Sequence, residues 1–580
     1  MVVMTSSLRP IDLHTEYRRE PLGIDGATPR LGWALDGGGR DAVQSAWQVQ
    51  VGSAPGRVDG WDSGRVAGDT QLSIAYSGAA LASRTRYHWR VRVWDGAGHE
   101  GPWSDSSWFE TAFLDPAEFA GTWLSARAQG DDERISLAAA RWVRPIEPHG
   151  RELTCFGVRF ELPEGVSIER ALMHVYADGH VAPWSCGVGH HLSVNRVRPD
   201  SCGSMPRRCV MAYDVAPWLK PGANHVAMKT FAYPDGAFIA LLVVELADGQ
   251  VLRVPTGDAA WRVRGMAKDG HEAAWDDVSA AGWTATADAG ALGAGPWPST
   301  DARNLADRLL PALVLRRQVS ITKPVARARI YATACGSYEL SLDGKLIDDR
   351  VLAPGWTDYR MRQHYQTYDI TRQLVQGDNL ISATIGDGWW SGHLATPFGC
   401  SWYGTDKSLK LALHLDYADG SHEVISTADG SWQAGTGPVR LADLMEGQIT
   451  DLTRSDGNWR TPISVPGATG RLQAQPDEPV RRLMELSART LTEKRPGVHV
   501  IDFGQNLVGA VRLRVRAPRG TRLTLRHAEV LDLQGELWTE NLRSALAVDQ
   551  HICSGGDDDF LPTFTFHPQK RTSPLVERAN

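Results

Sequence analysis

The chain reads as an all-β protein built as a string of β-sandwiches, and three observations predict this. Apolar and polar residues alternate over many short runs, while long amphipathic helical patterns are scarce. Tryptophan (22 residues) and glycine (58) are abundant, as buried sheet faces joined by tight turns require. One stretch recurs downstream without a gap, which marks two domains of common design. At 580 residues the chain exceeds the size at which one core keeps growing, so roughly three to five domains are expected.

Residues 1–115 open with paired strands. "AWQVQV" puts Trp47, Val49 and Val51 on one face, and "YHWRVRVW" does the same for Tyr87, Trp89, Val91 and Val93. "GAGHEGPWS" then supplies a turn. The segment resembles a fibronectin type III sandwich. Residues 116–300 and 301–460 hold the repeat: "YDVAPWLKPGANHVAMK" from Tyr213 aligns on "YDITRQLVQGDNLISAT" from Tyr368. Asp214, Leu219, Gly222 and Asn224 match Asp369, Leu374, Gly377 and Asn379. Each copy places an Asp to cap a short turn, a Leu to pack it, and a Gly-x-Asn bend before an alternating strand. Both units resemble galactose-binding-like jelly rolls. "ATADAGALGAGPWPST" (285–300) is Gly, Ala and Pro-rich without a period and reads as a linker. A second break is read at 458–480. Residues 475–567 then bring new strands, "VHVIDFGQ", "AVRLRVRA" and "RLTLRHAEV", with "FLPTFTFH" alternating as a last strand over 560–567. Residues 568–580 carry no period and read as an aberrant tail.

Charge and composition narrow the partners. A formal charge of -7, 42% apolar and 22% charged residues describe a chain without the basic surface that nucleic acid requires. The longest apolar run, 237–244, is too short to cross a bilayer as a helix, so no membrane partner is expected. "MVVMTSSLRPIDLHTEYRREPLG" lacks an apolar core of signal-peptide length, and a cytoplasmic location is the expectation. Four of seven cysteines (Cys155, Cys186, Cys202, Cys209) fall near His190 and His191. Their spacing matches no paired zinc pattern, so reduced thiols and no metal are expected.

Several motifs in order, "LAPGWTDYRMRQHYQTYDIT", "GDGWWSG", "DFGQNLVGAVRLRV", "GTRLTLRHAEVLDLQGELWTENLRSA" and "FTFH", resemble bacterial α-L-rhamnosidases of glycoside hydrolase family 78 from about Leu313 to His567. The resemblance implies hydrolysis of terminal α-L-rhamnose from glycosides by an inverting mechanism. It also implies a concanavalin-like sandwich over 475–567 and a first jelly roll that is an accessory insertion. In that family catalysis resides in a following (α/α)6 barrel, marked by an Asp-Glu-Arg stretch. The chain's one such stretch, Asp132 to Arg134, lies in the wrong domain, and after "FTFH" the sequence departs from the family. The expectation is therefore a rhamnosidase truncated before its barrel, with no catalytic residue assigned and no activity alone. The alternative is a rhamnose-binding or scaffolding protein.

Inverting hydrolysis needs two carboxyl groups about 6.5–9.5 Å apart. Glu529, Asp532, Glu536 and Glu540 are the candidates in the last domain, and their context reads as a strand, a turn and a polar edge. Sugar binding has better candidates, because "GDGWWSGH" gathers Asp387, Trp389, Trp390 and His393. Aromatic rings stack on a pyranose face while polar groups bind its hydroxyls. Packing of both rings into the core is the competing reading. No cofactor is required; the resemblance raises calcium, with Asp387, Asp358 or Asn379 as oxygen ligands. "DFGQN" (502–506) reads as a turn closed by its Asp and Asn side chains. Rhamnose-containing glycosides are the expected partners.

Overall fold

The computed structural model describes residues 7–126 (without 38 and 40), 137–147, 153–177, 191–196, 210–230, 237–266, 275–294, 305–307, 311–394, 401–531, 537–538, 545, 547–565, 567–569 and 575–579. Strands dominate throughout; the α-helical content of the described residues is one turn, Gly388–Ser391. No helix among them is long and apolar enough to cross a membrane.

The first sandwich sets a three-stranded sheet against one of six strands. Its central hairpin pairs Gln44–Gly52 with Arg86–Asp95 in the register Val49↔Val91. The alternation seen in the sequence is realised: Trp47, Val49, Val51, Trp89, Val91 and Val93 are all buried in one core.

Two jelly rolls follow, and they have the same connectivity. In the first, Leu153–Leu162 pairs with Gly222–Thr230, and Ile168–Ala177 pairs with both Val210–Asp214 and Phe238–Leu246. In the second, Leu313–Ile321 pairs with Gly377–Gly386, and Val325–Cys335 with both Arg362–Asp369 and Ser408–Tyr417. The repeat is therefore one structural element used twice. Its bend is built the same way each time. Asn379 accepts from the Val375 amide (2.9 Å) and donates to the Val375 and Gly377 carbonyls (2.8 and 3.0 Å). Asn224 accepts from the Lys220 amide (3.0 Å) and donates to the Lys220 and Gly222 carbonyls (2.7 and 2.8 Å). Gly222 and Gly377 both take positive φ, 76° and 97°, where a side chain would be strained.

The two units are nested. Trp123–Ser125 joins the second jelly roll, pairing with Ser408–Tyr417 and Ile463–Val465, before the whole first jelly roll intervenes. Residues 116–125, placed by sequence in the first jelly roll, thus lie with the second, where Phe119 shares a core with Tyr331 and Tyr365. The linker expected over 285–300 begins instead as a strand, Thr284–Ala291, hydrogen-bonded on both sides. Its small side chains erase the apolar period, while its backbone still completes the sheet. The break expected at 458–480 likewise contains strands, Ile463–Val465 and Arg471–Ala474, the latter parallel to Arg362–Asp369. Each is three or four residues long, too short to show alternation between Pro466, Gly467 and their neighbours.

Among the described residues the last domain comprises three two-stranded sheets and a seven-stranded sheet that takes in the hairpin Val439–Asp443/Gly447–Asp451 from the preceding unit, through the parallel register Ile449↔Gln550. The strand expected over 560–567 is interrupted. Pro562 has no amide hydrogen, and the amides of Thr563 and Phe564 donate to the Gln448 side chain (2.9 and 3.1 Å) instead of to a neighbouring strand. Pairing resumes at His567–Gln569. The tail does not stay outside the fold, as its lack of period suggests: Leu575–Ala579 pairs with Val498–Asp502 and with Arg522–Arg526. Backbone pairing on both edges explains how a strand without apolar alternation is held.

Candidate carbohydrate-binding face

The segment with the candidate residues leaves the strand Gly377–Gly386 and turns into the single helical turn Gly388–Ser391. Gly388 has φ +51°, and a Cβ there would fall 2.5 Å from the Ser337 amide, so only glycine makes this turn. The turn directs Trp390 inward onto Tyr359, Tyr403 and Trp123. The Trp390 and Tyr403 rings stack 20° from parallel at 6.3 Å, and Tyr359 meets Tyr403 edge-on at 4.8 Å. Gly404 lies flat against the Trp390 ring, where a Cβ would come within 2.5 Å. Burial pushes the Tyr359 hydroxyl well above its ordinary range and the Cys335 thiol beside it up to about 12, which keeps both neutral.

Asp387 and His393 are buried as well. Asp387 accepts from Lys407 Nζ at 2.8 Å and Ser391 Oγ at 3.1 Å. Asp443 Oδ2 accepts from the His393 amide at 2.8 Å and lies 3.2 Å from His393 Nδ1, with Glu446 Oε1 at 3.5 Å. The other Asp443 oxygen accepts from the amides of Met445 and Glu446. These carboxylates hold the loop to the hairpin at 443–447. Of the four residues singled out, Trp389 alone keeps partial exposure.

The loops that bring Tyr359 and Tyr403 to this cluster carry further aromatic rings. Trp356 is 53% exposed and Trp402 46%, and Trp356 Nε1 donates to the Tyr403 hydroxyl at 3.3 Å. Trp356, Trp402, Tyr403, Lys407, Asp443 and Glu446 were missed by the sequence reading, although "PGWTD" and "SWYGTDK" carry the same turn-plus-aromatic composition as "GDGWW". The residues named for calcium are dispersed in their bonding: Asp358 pairs with Arg360 (2.8 Å) at the surface, and the Asn379 amide closes its bend. Glu529 is partly buried; Asp532, Glu536 and Glu540 lie outside the described residues, as do Cys186, Cys202, Cys209 and His190. Cys155 is buried with its Sγ 3.1 Å from Met266 Sδ.

Three family models match the chain: "Rha78A-like, N-terminal immunoglobulin domain" over residues 10–115, "Alpha-L-rhamnosidase N-terminal domain" over 323–484, and "Bacterial alpha-L-rhamnosidase concanavalin-like domain" over 492–570. An α-L-rhamnosidase of Streptomyces avermitilis is 37% identical over 589 residues, which is 97% of this chain and 55% of that protein. One from Alteromonas sp. is 32% identical over 334 residues, 53% of this chain and 35% of its own. The crystal structure of Streptomyces avermitilis α-L-rhamnosidase complexed with L-rhamnose superposes with a TM-score of 0.77 at 34% identity, covering 98% of this chain and 56% of that one. The chain spans about half the length of the first of these relatives.

Proposed function

Because the chain belongs to the bacterial α-L-rhamnosidase family through its amino-terminal β-domains, we propose that it supplies the sugar-holding and scaffolding part of a protein acting on terminal α-L-rhamnose of glycosides. The observation that carries this reading is the aromatic face around Trp389, which lies within the segment that matches the rhamnosidase N-terminal domain. A rhamnose ring stacks its apolar face on Trp389, with Trp356, hydrogen-bonded to Tyr403 of the same cluster, as a flanking wall. Trp390, Asp387 and His393 act beneath it: the buried ring sets the height of the platform, and the Lys407 and Asp443 pairings fix the loop.

Stacking on one ring contributes about 1 kcal/mol, so rhamnose alone binds no more tightly than about millimolar. Titration calorimetry with L-rhamnose, with and without calcium, tests this. Trp389→Ala is expected to weaken binding about fivefold, and unchanged affinity in that variant removes the site.

Hydrolysis is assigned elsewhere. Acceleration requires a positioned acid and base in a water-controlled pocket, and about half the length of the Streptomyces avermitilis relative lies outside the span matched here. This chain, purified alone, is expected to leave a chromogenic aryl α-L-rhamnoside uncleaved. Turnover that is lost in Glu529→Gln would place catalysis in the last β-domain and overturn this part.

A further inference from the structure

A cleft of about 620 Å³ opens between the first sandwich and the second jelly roll, and no residue of the aromatic cluster lines it. Its floor is a buried ion pair: Arg329 donates to both oxygens of Glu110, at 2.6 and 3.0 Å, with the two side chains 5% and 1% exposed. Arg329 also pairs with Asp369 at 2.8 Å, and Arg86 reaches Glu110 at 3.0 Å while lying over the Trp108 ring. Arg327 and Arg372 complete the lining. Arg327 donates from Nε to Asp416 at 2.7 Å, which leaves its outer nitrogens without a partner in that pair. Arg372 is exposed and makes no ion pair among the described residues.

The charges do not cancel. Four guanidinium groups (Arg86, Arg327, Arg329, Arg372) against two carboxylates (Glu110, Asp369) leave two positive charges in the lining. Counting Asp416, behind Arg327, still leaves one. This concentration stands out in a chain whose formal net charge is -7. Guanidinium forks bind carboxylates and sulfate esters through paired hydrogen bonds, and clefts between domains are favoured ligand sites.

We propose that this cleft is a second glycan site that takes an anionic sugar, a uronate or a sulfated residue, through Arg327 and Arg372, with the Arg329–Glu110 pair as its rigid floor. The inference rests on the glycan reading above and adds to it a second site, lined by residues other than those of the aromatic cluster, for an acidic residue.

The full chain is titrated by calorimetry with D-glucuronate, D-glucose 6-sulfate, D-glucose and inorganic sulfate, at about 20 mM and about 300 mM salt. Either or both anionic sugars are expected to bind about tenfold or more tighter than glucose at low salt, the difference shrinking at high salt. Which of the two binds identifies the anionic group. Arg372→Gln, at an exposed position that cannot disturb folding, and the Arg327→Gln, Arg372→Gln pair should abolish that preference. L-Rhamnose binding should remain as in the unaltered chain, whereas Trp389→Ala should affect rhamnose alone. Equal binding of glucose and the anionic sugars, inorganic sulfate binding as tightly as the sugar sulfate, or an unchanged preference in the double variant overturns the proposal without touching the aromatic site.

Discussion

Leu172 in the first jelly roll and Arg329 in the second occupy the same place, each opposite the aspartate of its repeat, Asp214 and Asp369. From that register the inward residues match in kind. Ala171, Met173 and Val175 fill one core, and Ala328, Ile330 and Ala332 fill the other. The outward residues do not match. In the second unit Arg329 grips Glu110 of the first sandwich, and Tyr331 lies 4.4 Å from Phe113, ring centre to ring centre. In the first unit the outward Tyr176 meets Trp142 edge-on at 5.4 Å, within a cluster closed by that unit's own Ala237, Ile239 and Leu241. One sheet design thus serves two ends. The inward stripe specifies the sandwich, and the outward stripe decides whether the sandwich closes on itself or docks a neighbour.

The largest effect should come from breaking the docked face. Arg329→Ala leaves Glu110 buried without its main partner and should cost about 3–5 kcal/mol in chemical denaturation. Glu110→Ala should cost a similar amount, and the double variant clearly less than the sum. At the matching position, Leu172→Ala should cost about 2–3 kcal/mol and add independently to Glu110→Ala. Additive behaviour at Arg329, or coupling at Leu172, would break the comparison.

Acid should unsettle both units through a buried histidine. Burial is the main cause that lowers His174 to about 4 and His414 to about 3 from the ordinary 6.5; Arg170 adds to it for the first, and Arg84 and His422 for the second, opposed by Asp416. The unfolded chain takes up these protons below pH 6.5 and the folded chain does not. Stability is therefore full above 6.5 and is lost as pH falls toward 4 in the first unit and toward 3 in the second. By pH 4 each histidine costs on the order of 3 kcal/mol. His174→Leu and His414→Leu should each flatten the pH dependence of the denaturation midpoint, with only His414→Leu still acting between pH 4 and 3. A slope unaffected by either substitution would exclude these groups as its source.

Where the two units are alike, their variants should differ little. Asn379→Ala removes three hydrogen bonds from a buried bend and should cost about 2 kcal/mol or more, and Asn224→Ala removes the same three together with one from Asn195 and should cost up to about 1 kcal/mol more. Smaller still, Gly222→Ala and Gly377→Ala should cost about 1 kcal/mol each through the positive φ. Thermal melts that separate the members of either pair by more than these margins would show that the bends carry different loads.

The amino-acid sequence by itself determined the all-β class, the buried faces of the paired strands around Val49 and Val91, the repeated Asn bend and the family. Each of these is written in spacings of a few residues, and a side chain's face within a strand follows from its position alone. The tertiary structure decided the rest. Trp123–Ser125 finds its partners at 408–417 across an entire intervening domain, and no local period records so distant a pairing. Thr284–Ala291 is a strand because two neighbours hydrogen-bond its backbone, not because its alanines and glycines alternate with anything. Asp387 and His393 look like sugar ligands beside two tryptophans, yet Lys407, Asp443 and Glu446 arrive from other loops to pair with them in the interior. Charge buried at a site is decided by what meets it there, and in a β-sandwich those groups come from segments far apart in the chain.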